Sequence, residues 1–276
     1  MKKRITLVAL LLAFAFCLPV AAACSNENTA TPPEAETPIT PPVEEDSNAP
    51  SQEEDNVEQP VTPPVSKQVD YIRCTGSSVN LRSGAGTSYS VVGTAKKGEI
   101  YAVTQQLGNW YKTYYRGKEV YLSASYGAVL SLDKGSDDVE NVLREGYKLL
   151  GVPYVYGAVR LHDGKGNMLG GFTAQKFDCS SLVQYVFYKG AGKLLQVTTR
   201  TQVKQGKYVA RKDLQRGDCI YFTNESRQHL SGVERVGHVA IYLGDNYILH
   251  TATDYARIEK MTASRWAFYI EARRFI

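Results

Sequence analysis

Apolar side chains recur along this chain with more than one rhythm, and each rhythm predicts a different kind of segment. In FDCSSLVQYVF, from Phe177 to Phe187, Leu182, Val183, Val186 and Phe187 fall at i, i+1, i+4 and i+5, the spacing of one helical face. Asp178, Ser180 or Ser181 can cap the first turn of that helix. A second helix is predicted over Asp137 to Leu150, where Val139, Val142, Leu143, Gly146, Leu149 and Leu150 share a face. Tyr71 to about Ser125 fits no helical period. Gly84, Gly86, Gly93, Gly98, Gly108 and Gly117 break it at strand-length intervals, and Tyr, Val and Thr fill the runs between, as in a small barrel. Further on, Cys219 to Phe222, His238 to Leu243 and Tyr247 to Ala252 are short runs rich in Ile, Val, Tyr and Phe, separated by Gly or Asp turns. These read as antiparallel strands, with Gly244-Asp245-Asn246 placed to close a hairpin. Helices followed by strands predict an α+β domain behind the small all-β unit.

The first 66 residues have none of these rhythms. Lys2, Lys3 and Arg4 precede an apolar run from Ile5 to Leu18 and then Ala21, Ala22 and Ala23, the layout of a secretory leader over residues 1–23. The run is short for a membrane span. Cys24-Ser25-Asn26-Glu27 resembles the start of a mature bacterial lipoprotein, which implies acylation of Cys24 and a membrane anchor; cleavage at the alanines with release of the protein is the alternative. Ser25 to Ser66 holds nine of the eleven prolines and ten acidic residues, with no Lys or Arg. Residues 24–66 therefore predict a disordered, extended spacer.

Charge and cysteine count narrow the setting. Setting aside the three basic residues of the leader and the ten acidic residues of the spacer leaves 29 basic against 18 acidic side chains, a net charge of +11. For an exported protein this suits an anionic cell-wall polymer or membrane headgroups rather than nucleic acid; a solvated basic surface is the plainer alternative. With Cys17 in the leader and Cys24 assigned to a lipid, Cys74, Cys179 and Cys219 remain. An odd number without paired metal-finger spacing favours a free thiol over a disulfide framework.

Cys179 is the thiol in the most suggestive place. It stands where a helix begins, and the free amide groups and aligned dipoles of that end favour a thiolate. A merely structural cysteine is the alternative, since unpaired cysteine is often buried. A thiol nucleophile also needs a base within hydrogen-bond reach and a group that orients the base. Of the four histidines, His162 and His229 lie in Gly-rich or polar loops, whereas His238 and His250 lie in predicted strands twelve residues apart across the hairpin. As cross-strand neighbours, one imidazole can bond the second nitrogen of the other and fix its tautomer.

Two family resemblances follow from the motifs. Asn80-Leu81-Arg82-Ser83-Gly84, Val92-Gly93, Lys97-Gly98 and Trp110-Tyr111 make residues 67–126 resemble a bacterial SH3-like domain, which implies a role in targeting or in shaping a neighbouring cleft. GVPYVYGA, FDCSSLVQYVF, TTRTQVKQG, DLQRGDCIYF, GHVAIYLG and YILHTA, in this order over residues 137–276, resemble the NlpC-type cysteine peptidases of bacterial cell walls, papain-like in fold. That resemblance implies Cys179 as nucleophile, His238 as base, His250 as orienting residue, and Tyr154 beside the Cys179 amide as holder of the oxyanion. It further implies that Asp178 and Ser180 hold the free amine of the substrate, with Thr201 near the same subsite. The expected activity is cleavage of peptidoglycan stem peptides or muropeptides at the γ-D-glutamyl–diamino acid bond, in the cell envelope. A non-catalytic wall-binding protein and a thiol-dependent acyltransferase are the other readings. No feature calls for a cofactor or a metal, and the chain is read as a monomer.

The chain departs from the family pattern in three places. The link before the cysteine is lengthened to GAVRLHDGKGNMLGGFTAQKF, Ala158 replaces a glycine, and Ser181 replaces the glycine that usually follows Asp-Cys-Ser. Other signals compete with the peptidase reading. Arg216-Gly217-Asp218 spells an adhesion triplet, Asp163, Lys165 and Asn167 alternate faintly like a calcium loop, and Cys179, His238 and His250 are conceivable zinc ligands.

Overall fold

The computed structural model describes residues 66–276. The leader, Cys24 and the acidic spacer up to residue 65 lie outside the described residues. The N-terminal part is built from strands β1 (Gln68–Cys74), β2 (Ser78–Arg82), β3 (Val91–Lys96), β4 (Ile100–Ala102), β5 (Gln105–Leu107), β6 (Trp110–Tyr115), β7 (Lys118–Ser123) and β8 (Gly127–Asp133). Five of them form one antiparallel sheet in the order β3-β2-β7-β6-β5. The β6–β7 hairpin closes on Arg116-Gly117, both at positive φ (52° and 76°), the two-residue turn whose twist matches that of its strands. Strand β8 pairs with β1 at every position from Gln68↔Asp133 to Cys74↔Gly127, so the all-β unit continues past Tyr126.

The second part contains α1 (Asp137–Lys148), α2 (Cys179–Ala191), α3 (Thr199–Gln202), β9 (Lys207–Val209), β10 (Cys219–Phe222), β11 (His238–Gly244), β12 (Tyr247–Ala252), β13 (Tyr255–Lys260), α4 (Ala263–Ala267) and β14 (Tyr269–Arg274). The fold is α+β, with helices first and an antiparallel sheet after them. Ser136 caps α1 by accepting from the Val139 amide, and Asp137, Asp138 and Glu140 place negative charge on its positive end. Its predicted face is the buried one. A Cβ on Gly190 would lie 2.5 Å from Val142 backbone, and one on Gly146 would lie 2.3 Å from the Leu249 side chain. These two glycines set how closely α1 approaches α2 and the sheet. The left-handed Gly192 (φ 62°) ends α2.

The two parts share one nine-stranded sheet, in the order β8-β1-β4-β13-β12-β11-β10-β14-β9, joined where Ile100 of β4 pairs with Ile258 of β13. On one face α1 and α2 pack against Val239, Ile241 and Leu249; on the other, Ile220, Phe222, Ala240, Ile248 and Ala272 form a smaller cluster. The β6–β7 turn also completes the end of α1. The Gly117 amide donates to Lys148 O (2.7 Å), the Arg116 amide to Leu150 O (2.8 Å), and Arg116 Nε to Gly151 O (2.8 Å).

One buried cation ties the two parts together. Arg216, its side chain 5% exposed, donates from Nε to Glu140 Oε1 (2.6 Å) and from Nη2 to Glu140 Oε2 (3.0 Å), while Nη1 donates to Leu243 O (2.8 Å). Nη2 also reaches the hydroxyls of Tyr71 in β1 and Tyr147 in α1, each at 2.8 Å. Asp218 is also buried, paired with Arg274 at 2.7 and 2.8 Å and accepting from the Gln215 amide. The Arg-Gly-Asp triplet is thus an internal brace whose side chains are withdrawn from solvent. Arg216→Leu leaves Glu140 and two tyrosines without their buried partner, and should lower unfolding stability by about 3–5 kcal/mol in urea denaturation.

Candidate active site

Asp178 accepts from the Ser181 amide (2.8 Å) and the Ser181 hydroxyl accepts from the Asp178 amide (2.8 Å), a reciprocal cap that starts α2 at Cys179. Ser181, the departure from the family glycine, is half of this cap. The loop before α2 returns Tyr154 to its start: Tyr154 bridges to Phe177, and its amide donates to Asp254 O (2.9 Å). Burial, then the charges of Cys179 and Asp178, push the Tyr154 hydroxyl up to about 12, so it is a neutral donor at physiological pH.

Cys179 is buried, and here the structure corrects the expectation of a ready thiolate. Loss of water and the neighbouring Asp178 carboxylate push the thiol up to about 12, and the amides of Val239, Ser180 and Cys179 offset this only in part. The helix start is where it was predicted, but desolvation outweighs its dipole. The Val239 amide at the sulfur shows that the first turn of α2 meets the first residues of β11.

That strand begins with His238. His238 Nε2 lies 2.9 Å from His250 Nδ1 in β12, with the two rings at 80° to each other. His250 is 1% exposed, and its Nε2 lies 3.2 Å from Glu259 Oε1 in β13, an ion-pair distance without the alignment of a full hydrogen bond. Arg265 Nη2 holds the same carboxylate oxygen at 2.6 Å. Burial alone would raise Glu259, but His250 and Arg265 outweigh it and hold the carboxyl down at about 2. A carboxylate beside His250 Nε2 favours the proton on that nitrogen. Nδ1 then accepts from His238 Nε2–H, which leaves His238 Nδ1 free to take a proton. Burial first, and then the His250 and Arg265 charges, hold His238 well below the usual histidine range; burial likewise lowers His250.

Sequence reasoning missed Glu259. His250 pairs with Arg257, so Glu259, two residues further along β13, projects on the same face. Glu259 also walls a cavity of about 340 Å³ between Lys96–Tyr101 of the all-β part and β13, where the Tyr255 hydroxyl bonds Glu99.

The remaining candidates divide. Ser180 stays beside the cysteine, its hydroxyl 3.0 Å from Asp178 Oδ1. Thr201 does not join them through its hydroxyl, which is used in the cap of α3, 2.9 Å from the Thr198 hydroxyl. Its neighbour Gln202 makes that contact instead, donating to Ser180 O (3.0 Å). Asp178 Oδ2 is taken by Arg160 Nη2 (2.8 Å) and by the Gly157 amide (3.2 Å). His162 is fully buried against Tyr188, at 5.2 Å between ring centroids, and accepts from the Gly164 amide. Asp163 is satisfied locally by Lys165 and Asn167, which supports a turn rather than an ion loop.

A thiol at a helix start, two linked imidazoles on adjacent strands and a neutral tyrosine hydroxyl together suit acyl transfer through a thioester. The NlpC/P60 family model matches residues 151–274, and the bacterial SH3 domain model matches residues 77–128. Murein DD-endopeptidase MepS/Murein LD-carboxypeptidase of Escherichia coli K12 is 33% identical over 150 residues, covering 53% of this chain and 73% of that protein. The chain belongs to the NlpC/P60 family. Gamma-DL-glutamyl hydrolase of Bacillus subtilis is 30% identical over 65% of this chain, and Gamma-D-glutamyl-L-lysine dipeptidyl-peptidase of the same organism is 28% identical over 52%. The chain spans 35% and 42% of the lengths of those two relatives.

A neutral thiol has a measurable signature. Alkylation of Cys179 by iodoacetamide without substrate, followed by mass spectrometry, should keep rising above about pH 8.5, with no plateau near neutrality. The His238 direction places the acid limb of kcat/KM below about pH 6.5. Because both imidazoles are held neutral, folding stability should be intact above that pH. It should decline as pH falls towards the lowered folded-state values, where the unfolded chain binds the extra protons.

Proposed function

We propose that the protein is an envelope peptidoglycan endopeptidase that cuts stem peptides at the γ-D-glutamyl–diamino acid bond. The linked pair His238–His250, on a strand whose Val239 amide reaches the sulfur of the helix-start Cys179, supports this reading. In the first step the Cys179 sulfur attacks the carbonyl carbon as its proton passes to His238 Nδ1. The Cys179 amide and the Tyr154 hydroxyl receive the negative oxygen. His238 then gives its proton to the leaving amine, the C–N bond breaks, and a thioester remains. Water adds to the thioester while His238 takes its proton, which releases the acid and restores the thiol. His250, set by Glu259, keeps Nδ1 of His238 free for these transfers.

The bond assignment draws on two relatives named for γ-glutamyl substrates, set against a third named for DD and LD bonds. The leader and Cys24 supply an anchor on the outer face of the membrane, and the acidic spacer supplies reach to the wall. The SH3-like unit proposed over residues 67–126, which β8 extends by pairing with β1, walls the cavity beside the peptidase part over residues 137–276. The protein acts as a monomer.

Purified protein incubated with defined tri-, tetra- and cross-linked stem peptides should yield new amino termini at the diamino acid by mass spectrometry, and Cys179→Ala should abolish them. Retention of cleavage by Cys179→Ala would overturn the mechanism, and cuts confined to DD cross-links would overturn the bond assignment. Glu259→Gln, which leaves His250 without its anion, should lower kcat by about tenfold or more with little change in KM.

A further inference from the structure

The lengthened loop before Cys179 places a cation where the family resemblance expects the amine of a substrate. Arg160, its side chain 19% exposed, is held by three segments. Nη2 lies 2.8 Å from Asp178 Oδ2 and 3.3 Å from the Ser180 hydroxyl, Nε donates to Val197 O (2.9 Å), and Nη1 donates to Ala158 O (2.7 Å). The loop is docked on either side of this residue. His162 O accepts from Gln184 Nε2 at 3.1 Å, Leu169 pairs with Leu161, and Ala158 is buried.

The acceptor capacity of Asp178 is therefore used up. Oδ1 accepts from the Ser181 amide and the Ser180 hydroxyl, and Oδ2 from Arg160 and the Gly157 amide, four donors for a carboxylate with about four lone-pair positions. An incoming ammonium group would have to displace a guanidinium that has two further carbonyl partners. It would gain only a charge-assisted bond of the same kind as the one it broke. The carboxylate is 6% exposed, so leaving it without a cation while the two exchange is unfavourable as well.

We propose that Arg160 is a specificity-determining residue: its guanidinium is a built-in cation that fills the Asp178–Ser180 subsite, so the enzyme takes stem peptides whose N-terminus is acylated, as in intact wall, and gains nothing from a free α-amine. The proposal rests on the peptidase reading above. The loop insertion thereby converts a receptor for charge into a neutral wall of the cleft.

Three versions of L-Ala-γ-D-Glu-diamino acid test it: the free amine, the N-acetyl form, and a desamino form in which propionyl replaces alanyl. Each is made with L-lysine and with meso-diaminopimelate. Wild type should turn over the desamino and free-amine forms with kcat/KM within about threefold, and the N-acetyl form at least as well as either. Arg160→Gln, which frees the carboxylate, should move the free-amine to desamino ratio by about tenfold or more towards the amine. Arg160→Lys, which keeps a cation, should stay near the wild-type ratio. A wild-type preference of tenfold or more for the free amine overturns the proposal, as does an unchanged ratio in folded Arg160→Gln. If that variant does not fold, the wild-type ratios decide alone. Turnover with the wrong ratio strikes only the role of Arg160, whereas no turnover of any form by wild type strikes the peptidase reading and the proposal with it.

Discussion

A guanidinium withdrawn from water must be met by oppositely charged or polar groups on its donors, and Arg216 meets that demand with groups from three separate stretches of chain. Tyr71 comes from β1, Glu140 and Tyr147 from α1, and Leu243 O from β11, while Arg216 itself precedes β10. Satisfying one cation therefore fixes the all-β part, the first helix and the sheet that bears His238 and His250 relative to one another. The consequences run towards the site. With α1 held, Gly146 and Gly190 let it close on β12 and α2, and α2 then delivers Cys179 beside the first residues of β11. The nine-stranded sheet alone would be a weak joint, since β4 and β13 meet at a single pair of residues. The buried cation and the β6–β7 turn at the end of α1 make it firm.

Within the site, burial and charge pull in opposite directions. A helix start favours a thiolate, yet the sulfur is shut away from water beside a carboxylate, and the thiol stays protonated. The base is likewise held neutral. Such a pair stores no charge at rest, and in the proposed mechanism it creates charge only when a substrate carbonyl accepts the sulfur. This makes the oxyanion donors and the orientation of His238 more important than the thiol's own acidity. The line from Arg265 through Glu259 and His250 to His238 serves that orientation, because it fixes where each proton sits before the reaction begins.

The residues legible in the sequence are those whose partners are local or periodic. The helix faces of α1 and α2 follow from spacing, and the strands bearing His238 and His250 follow from short runs rich in Ile, Val and Tyr and a Gly-Asp-Asn turn. Their pairing follows because a tight hairpin brings residues twelve apart together. Glu259 was hidden because its meeting with His250 depends on the register of a second hairpin, closed by Thr253 at positive φ. Arg160 and Arg216 were hidden for a related reason: each finds its carboxylate 18 and 76 residues away, a distance on which no propensity acts. Ser181 caps the first turn of α2, as the sequence allowed, whereas Thr201, read as lying near the substrate subsite, has its hydroxyl claimed by the cap of α3, a use that competes with any ligand.

Asp178 shows why a capping residue beside the proposed nucleophile needs a counter-charge. Its carboxylate is required to start α2 at Cys179, and without it the orphan amides of the first turn would lose their acceptor. The same negative charge opposes formation of the thiolate one residue away. A free substrate amine can relieve that conflict only while substrate is bound, so the resting site would keep an unpaired, nearly buried carboxylate. Arg160 relieves it permanently, within the folded chain. In the proposed reading the subsite then no longer reads the charge of a substrate's N-terminus, and recognition falls on the groups that line the rest of the cleft.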